Sequence, residues 1–363
     1  MAKQFNTTGI CIPERNYMVD VSSKMDAIVQ DYIDKGKYFT ISRARQYGKT
    51  TILYLLEQTL KTRYLVVRLS FEAADEMVVS LYTFATGLVR KISRILKAQG
   101  IAQSFLDEWI QPVSEQFPFD DLSGRITALC RHSDKPAILM IDEVDKSSDN
   151  QVFLSFLGLL RNKYLEQMQK NDDTFQSVAL AGVYDIKNLK SRLRPDEEKK
   201  YNSPWNIAVD FEVDMSFAPV EIAGMLRAYE EDHHTGMDIE GVSRLIYDYT
   251  SGYPYLVSRL CQLADERLAG TEAFPEKRNV WTQEGIVAAE LMLRRQSNTL
   301  FDDLIKKLTD YPKLKKMVQE DLGVTFGFFK EKNATVAIGN RIFETKLYDL
   351  FLSEMFLEDM LVE

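Results

Sequence analysis

Glycine, lysine and threonine stand in a row at Gly48-Lys49-Thr50, with Thr51 after them and the run Ser42-Arg43-Ala44-Arg45-Gln46-Tyr47 before them. Those types in that order suit a phosphate cradle. A glycine lets the backbone approach phosphate oxygens, and the N–H groups at a helix start carry the positive end of the helix dipole. Lys49 would reach the β and γ phosphates, and the Thr50 hydroxyl would ligate Mg²⁺. The full pattern G-x-x-x-x-G-K-[ST] wants a glycine where this chain has Arg43. A non-glycine residue held left-handed costs about 1–2 kcal/mol, so the chain is expected to enter the loop by a different turn. Taken alone, the tripeptide is also compatible with a plain lysine at a helix start.

A second feature lies further along. Ala137-Ile138-Leu139-Met140-Ile141-Asp142-Glu143 is a continuous apolar run ending in two carboxylates. Such runs suit a strand buried on both faces of a parallel sheet. At its carboxyl end Asp142 would hold Mg²⁺ through water, and Glu143 would polarise the attacking water as general base. A buried strand with an acidic edge is the plainer alternative for this run by itself. Together with Gly48-Lys49-Thr50, and with the strand-like Tyr64–Phe71 in between, it reads as a P-loop nucleoside triphosphatase. The expected catalytic pair is Glu143 and Lys49. The expected nucleotide contacts are Arg43, Arg45, Gln46, Tyr47, Gly48, Lys49, Thr50 and Thr51, with Thr50 and Asp142 as metal ligands and ATP and Mg²⁺ as cofactors.

These residues need an α/β scaffold with a parallel sheet. Tyr38–Ile41 reads as the strand before the loop, and Ile52–Leu60 as the helix after it. Helical patterns at Val78–Lys97, Ile101–Ile110, Asp120–His132 and Gln151–Gln169 supply the crossovers that parallel strands require. Ser177–Gly182 reads as a fourth strand, and Trp205–Phe211 leads to a fifth. Between them, Tyr184–Arg194 is strongly basic and stands where a sensor of the γ-phosphate is expected; a solvated loop is the alternative. Upstream, a helix is expected over Ser23–Asp34. Tyr17 or Ile12 could lie under the nucleotide base, with core packing as the other reading.

Beyond Phe217 the chain turns helical: Val220–Tyr229, Ile239–Tyr249 and Tyr255–Leu268, interrupted by Ser251-Gly252-Tyr253-Pro254. Helices at Thr282–Gln296, Phe301–Leu308 and Leu314–Leu322 follow. A hairpin of Thr325–Phe329 and Thr335–Ile338, turning at Glu331–Ala334, precedes a last helix at Phe343–Phe356, a winged-helix outline.

The 363 residues exceed a single core, and 45% hydrophobic with 27% charged residues is a soluble globular composition. A formal net charge of −9 argues against a globally basic nucleic-acid binder. The three cysteines lack metal spacing. His233-His234 lies in a polar run that reads as a solvated loop. The N-terminus shows no secretory signal and no apolar run is long enough to span a bilayer, so a cytoplasmic protein without a membrane partner is expected.

The run Arg43-Ala44-Arg45-Gln46-Tyr47-Gly48-Lys49-Thr50 resembles the arginine-rich loop of bacterial AAA-like domain proteins, which also lack the first glycine. Gly9–Pro13, Tyr17–Asp20, Leu180–Leu189, Ser203–Ala208 and Asn340–Glu344 are similar to the same family. Its broader relatives are the STAND ATPases, in which a Gly-x-Pro of the helical domain packs on the adenine. Gly252-Tyr253-Pro254 is similar to it, which implies Pro254 as a nucleotide contact; a helix-breaking turn is the alternative. The resemblance implies an α/β P-loop core over 1–217, a helical lid over 218–272 and a winged-helix-like domain over 273–363. ATP would close the lid on the core and move the C-terminal domain, a nucleotide-gated switch. The alternatives are a nucleotide-stabilised scaffold without turnover, holding a protein partner, and a DNA-associated regulator using Lys306, Lys307, Lys313, Lys315 and Lys316.

Overall fold

The structure, a computed structural model, describes residues 2–147, 150–183, 205–296, 298–310, 329–332 and 335–347. By contacts these group into two compact units: residues 22–43 with 49–213, and residues 1–21 and 44–48 with 214–363.

Two short strands, β1 (Gln4–Phe5) and β2 (Asn16–Tyr17), belong to the second unit; the first unit is built on a parallel sheet of β3 (Tyr38–Ser42), β4 (Leu65–Ser70), β5 (Ala137–Asp142) and β6 (Ser177–Gly182), in the order β3-β6-β5-β4. Every residue of β5 and β6 is buried, which accounts for their unbroken apolar sequences. Helices cross between the strands: Lys49–Leu60, Leu81–Ala98, Gln103–Trp109, Pro118–His132 and Gln151–Met168. Each falls within a few residues of its expected place. Ser80 starts the Leu81 helix by accepting from Thr83 N–H, and Pro118 takes the first turn of its own helix, where no N–H is needed. The expected N-terminal helix is α-helical only over Ser22–Ile28 and continues as a π-helix over Val29–Ile33.

The fifth strand is reduced to one parallel bridge, Phe39 to Val209. Trp205 explains part of this. Its indole donates to Thr40 Oγ1 at 3.0 Å and its ring stacks on Tyr38, so the segment approaches β3 through a buried side chain.

In the second unit, short parallel strands Gln4–Phe5 and Asn16–Tyr17 join helices Pro219–His233, Ile239–Thr250, Pro254–Leu263, Gln283–Arg295 and Thr299–Asp310. Phe5, Tyr17, Tyr229 and Trp281 form an aromatic core there. Tyr17 donates to Asp232 at 2.7 Å and meets His233 Nε2 at 3.2 Å. Core packing is therefore the role of Tyr17, and His233 is no solvated loop residue: its ring lies 4.3 Å from Tyr229. The hairpin pairs Phe329–Lys332 with Thr335–Ile338, so pairing runs on through Glu331 and Lys332, where the sequence suggested the turn. Residues 341–347 are helical. The expected helix at Leu314–Leu322, residues 325–328, the turn at 333–334 and the rest of the last helix lie outside the described residues.

Candidate functional site

In the sheet unit, parallel strands bring their carboxyl ends to one edge. The register sets Ser42 opposite Gly182, and Ser70 opposite Asp142. Asp142 thus lies two strands from the end of β3, about 10 Å away at ordinary strand spacing. Its side chain is buried, and Oδ1 accepts the Glu143 N–H at 2.9 Å. Glu143 turns left-handed at φ 57°, which swings the chain off the strand into a short 3-10 turn at Val144–Lys146. Asp145 reaches across to β6, accepting from Val183 N–H at 3.1 Å. A Cβ on Gly182 would lie 2.9 Å from that carboxylate, so glycine leaves the room this crossing needs. Neither Asp145 nor Gly182 was singled out from sequence, because their pairing joins segments with no common pattern.

The helix that opens on Lys49 places Lys49, Thr50 and Thr51 in its first turn, where backbone N–H groups have no partner inside the helix. Gly48, at φ 80°, makes the turn into it. Arg43 is not among the left-handed residues, as its chemistry requires; the non-glycine residue that turns left-handed in the loop is Gln46, φ 57°. Arg43 itself is tied to the sheet unit. Its N–H donates to Gly182 O at 3.2 Å, and its guanidinium donates to the carbonyls of Ser42 and Val213 and lies over Phe211. The structure therefore gives this expected phosphate contact a set of backbone partners and a role in shaping the loop entry. Lys49 also departs from the picture of a lysine exposed at a helix start. It is buried, and its ammonium donates to Arg43 O at 2.9 Å.

In the helical unit, the loop residues 44–48 meet the Gly-x-Pro turn. Tyr253 donates its hydroxyl to Arg45 O, and its ring meets Tyr47 edge-on at 4.7 Å. Arg45 is exposed and lies 3.8 Å from Asp303, while Gln46 Nε2 is 3.5 Å from Thr299 Oγ1. Pro254 opens the helix Pro254–Leu263 and is buried, the position at which a missing N–H costs nothing. Gly252, φ 72°, exchanges backbone contact with Phe217, whose N–H donates to Gly252 O at 2.8 Å. The turn is thus required by packing, whatever else it contacts.

The basic stretch Tyr184–Arg194 lies outside the described residues, as do Lys313, Lys315 and Lys316 and the side chain of Lys307. Among the described residues no cluster of His, Cys, Asp or Glu has the arrangement of a protein-only metal site. Among the described residues no helix is long and apolar enough to cross a membrane.

A family model of the AAA-like domain matches residues 13–324. The chain belongs to the AAA-like domain family. Among solved structures, a Walker-type ATPase of Pyrococcus abyssi is similar at 15% identity and a TM-score of 0.52, covering 95% of this chain and 99% of its own. The Aeropyrum pernix ORC2 protein, in ADPNP–ADP complexes, gives 12% identity and 0.48, covering 97% and 98%. A Thermotoga maritima RuvB variant gives 11% and 0.43, covering 90% and 94%. No curated protein matches the sequence. The AAA-like chain thus has the α/β fold of a P-loop ATPase, as its sequence led one to expect.

Proposed function

We propose that this AAA-like protein is a Mg²⁺-dependent switch that binds and hydrolyses ATP. The observation that carries the reading is a helix opening on Lys49-Thr50 at the end of β3, with the buried Asp142 at the same edge of the same parallel sheet. Phosphate oxygens would accept from the first-turn N–H groups and from the Lys49 ammonium, exchanged from its bond to Arg43 O. Thr50 and Asp142 offer hard oxygen donors of the kind Mg²⁺ prefers. Bound there, Mg²⁺ would neutralise charge on the β and γ oxygens. Glu143 would accept the proton of a water whose oxygen attacks the γ phosphorus, while the bond to the β-bridging oxygen breaks and ADP leaves. Gly48, Gln46, Tyr47 and Thr51 would shape or line the loop, the exposed Arg45 would supply a further cation to the phosphates, and Pro254 would meet the base.

The family's relation to STAND ATPases supports a further reading, in which residues 218–272 act as a lid and residues 273–363 as a winged-helix-like domain that moves with nucleotide state. A protein or DNA partner would then be served through that C-terminal part. Phosphate release tests the enzymatic half. Wild type should turn over ATP, and Glu143→Gln, which keeps shape but removes the base, should bind ATP while turning over about 10²–10⁴ times more slowly. Equal release from both would leave a nucleotide-bound scaffold instead.

A further inference from the structure

The helical unit holds the phosphate loop at one point that the nucleotide motifs do not explain. Tyr253 is 3% exposed, and its hydroxyl donates to Arg45 O. The ring is gripped from two sides, edge-on to Tyr47 at 4.7 Å and to Phe343 at 5.4 Å. Phe343 is fixed in turn, its N–H donating to Asn340 Oδ1 at 2.9 Å and its ring meeting Phe301. A phenol so held has little freedom to point elsewhere.

The carbonyl it holds is the one before Gln46, the residue that turns left-handed at φ 57°. A peptide unit is planar and trans, so the Arg45 carbonyl and the Gln46 N–H point in opposite directions. Anchoring the oxygen fixes the direction of the N–H. A non-glycine residue in this conformation is disfavoured and persists only where its surroundings hold it.

We propose that Tyr253 is a positioning residue of the phosphate loop: its hydroxyl sets the Arg45–Gln46 peptide so that the loop N–H groups converge on the β and γ phosphates of a nucleoside triphosphate. The proposal rests on the reading of Gly48-Lys49-Thr50 as the phosphate site and adds to it a residue far off in sequence. Burial pushes the Tyr253 phenol well above its ordinary range, with Tyr47 and Asp303 adding to the effect, so the group remains a protonated donor. Its influence falls on the phosphates, and it grows with their number.

Tyr253→Phe keeps both edge-on ring contacts and deletes one donor. Calorimetry with MgATP, inorganic tripolyphosphate and AMP on wild type, Tyr253→Phe and Lys49→Met separates the possibilities, with thermal unfolding run beside it. ATP and tripolyphosphate should each bind Tyr253→Phe about five- to tenfold more weakly, the loss expected for one hydrogen bond. AMP should be bound as by wild type. Wild-type affinity for ATP and tripolyphosphate in Tyr253→Phe, with Lys49→Met having lost both, overturns the proposal alone. Equal losses for all three ligands also overturn it, since they mark a fold defect. If Lys49→Met binds as wild type does, the phosphate-site reading fails and the proposal with it.

Discussion

Gly252→Ala is the substitution whose effect the structure sizes most directly. A Cβ at this position would lie 2.0 Å from the carbonyl oxygen of Phe217, 2.7 Å from its nitrogen and 2.8 Å from its carbonyl carbon. All are backbone atoms, so no side chain can swing aside. The alanine would also have to hold φ 72°, which costs about 1–2 kcal/mol. Relieving the clash means drawing the two segments apart and losing the Phe217 N–H to Gly252 O bond, another ~1 kcal/mol. Together these give about 2–3 kcal/mol of lost stability, toward the severe end for single substitutions. Gly9→Ala is a matched control: Gly9 is also left-handed, at φ 66°, but a Cβ there meets nothing within 4 Å. Urea unfolding should show a loss near 1 kcal/mol for Gly9→Ala and about two to three times that for Gly252→Ala. Equal losses for the two variants would refute the steric account and return the Gly-x-Pro turn to being a ligand contact alone.

Other expectations follow from single contacts. If the exposed Arg45 guanidinium meets the outer phosphates, as proposed, Arg45→Ala should weaken ATP more than AMP; equal losses in a binding titration would point to loop folding. The carboxyl of Asp172 is pulled upward by burial, but its hydrogen bonds to Lys163, Thr127 and the Asp173 N–H outweigh this and hold it below the usual carboxylate range. A folded-state value below the unfolded one means its contribution is complete above about pH 4 and is lost as pH falls through the folded value. Lys163 is almost wholly buried, so Asp172→Asn should cost about 3 kcal/mol near neutrality. Denaturation at decreasing pH should leave the gap between wild type and variant constant down to about pH 4 and narrow it as pH falls further toward the folded value; a gap that does not narrow below about pH 4 would show that the ion pair is not the cause.

The sheet was legible because β5 and β6 are buried along their whole length and therefore carry apolar runs that composition alone reveals. Gly48-Lys49-Thr50 was legible because the loop, the helix start and the cation are adjacent in the chain. What escaped were contacts between distant segments. Nothing periodic joins Tyr253 to Arg45, or Asp145 to Val183, and each depends on one side chain reaching a backbone atom. The burial of Lys49 escaped for a related reason: a helix amino terminus reads as exposed until the packing around it is known. The reduction of Trp205–Phe211 to a single bridge goes with the indole bond to Thr40, a side-chain contact that sequence pattern does not reveal. The left-handed turn moved from the expected glycine position at Arg43 to Gln46, where a held carbonyl makes up for the missing glycine.

The central claim is that the helix opening on Lys49 receives the phosphates of ATP. Because Lys49 is buried along its stem, Lys49→Met is the informative change, keeping the methylene packing and removing only the ammonium. The decisive measurement is calorimetric titration of MgATP into wild type and into Lys49→Met, with circular dichroism showing both folded. Wild type should bind and the variant should lose at least about tenfold in affinity, the smallest effect expected of a hydrogen bond made by a charged group. A folded Lys49→Met that binds MgATP as tightly as wild type would contradict the account.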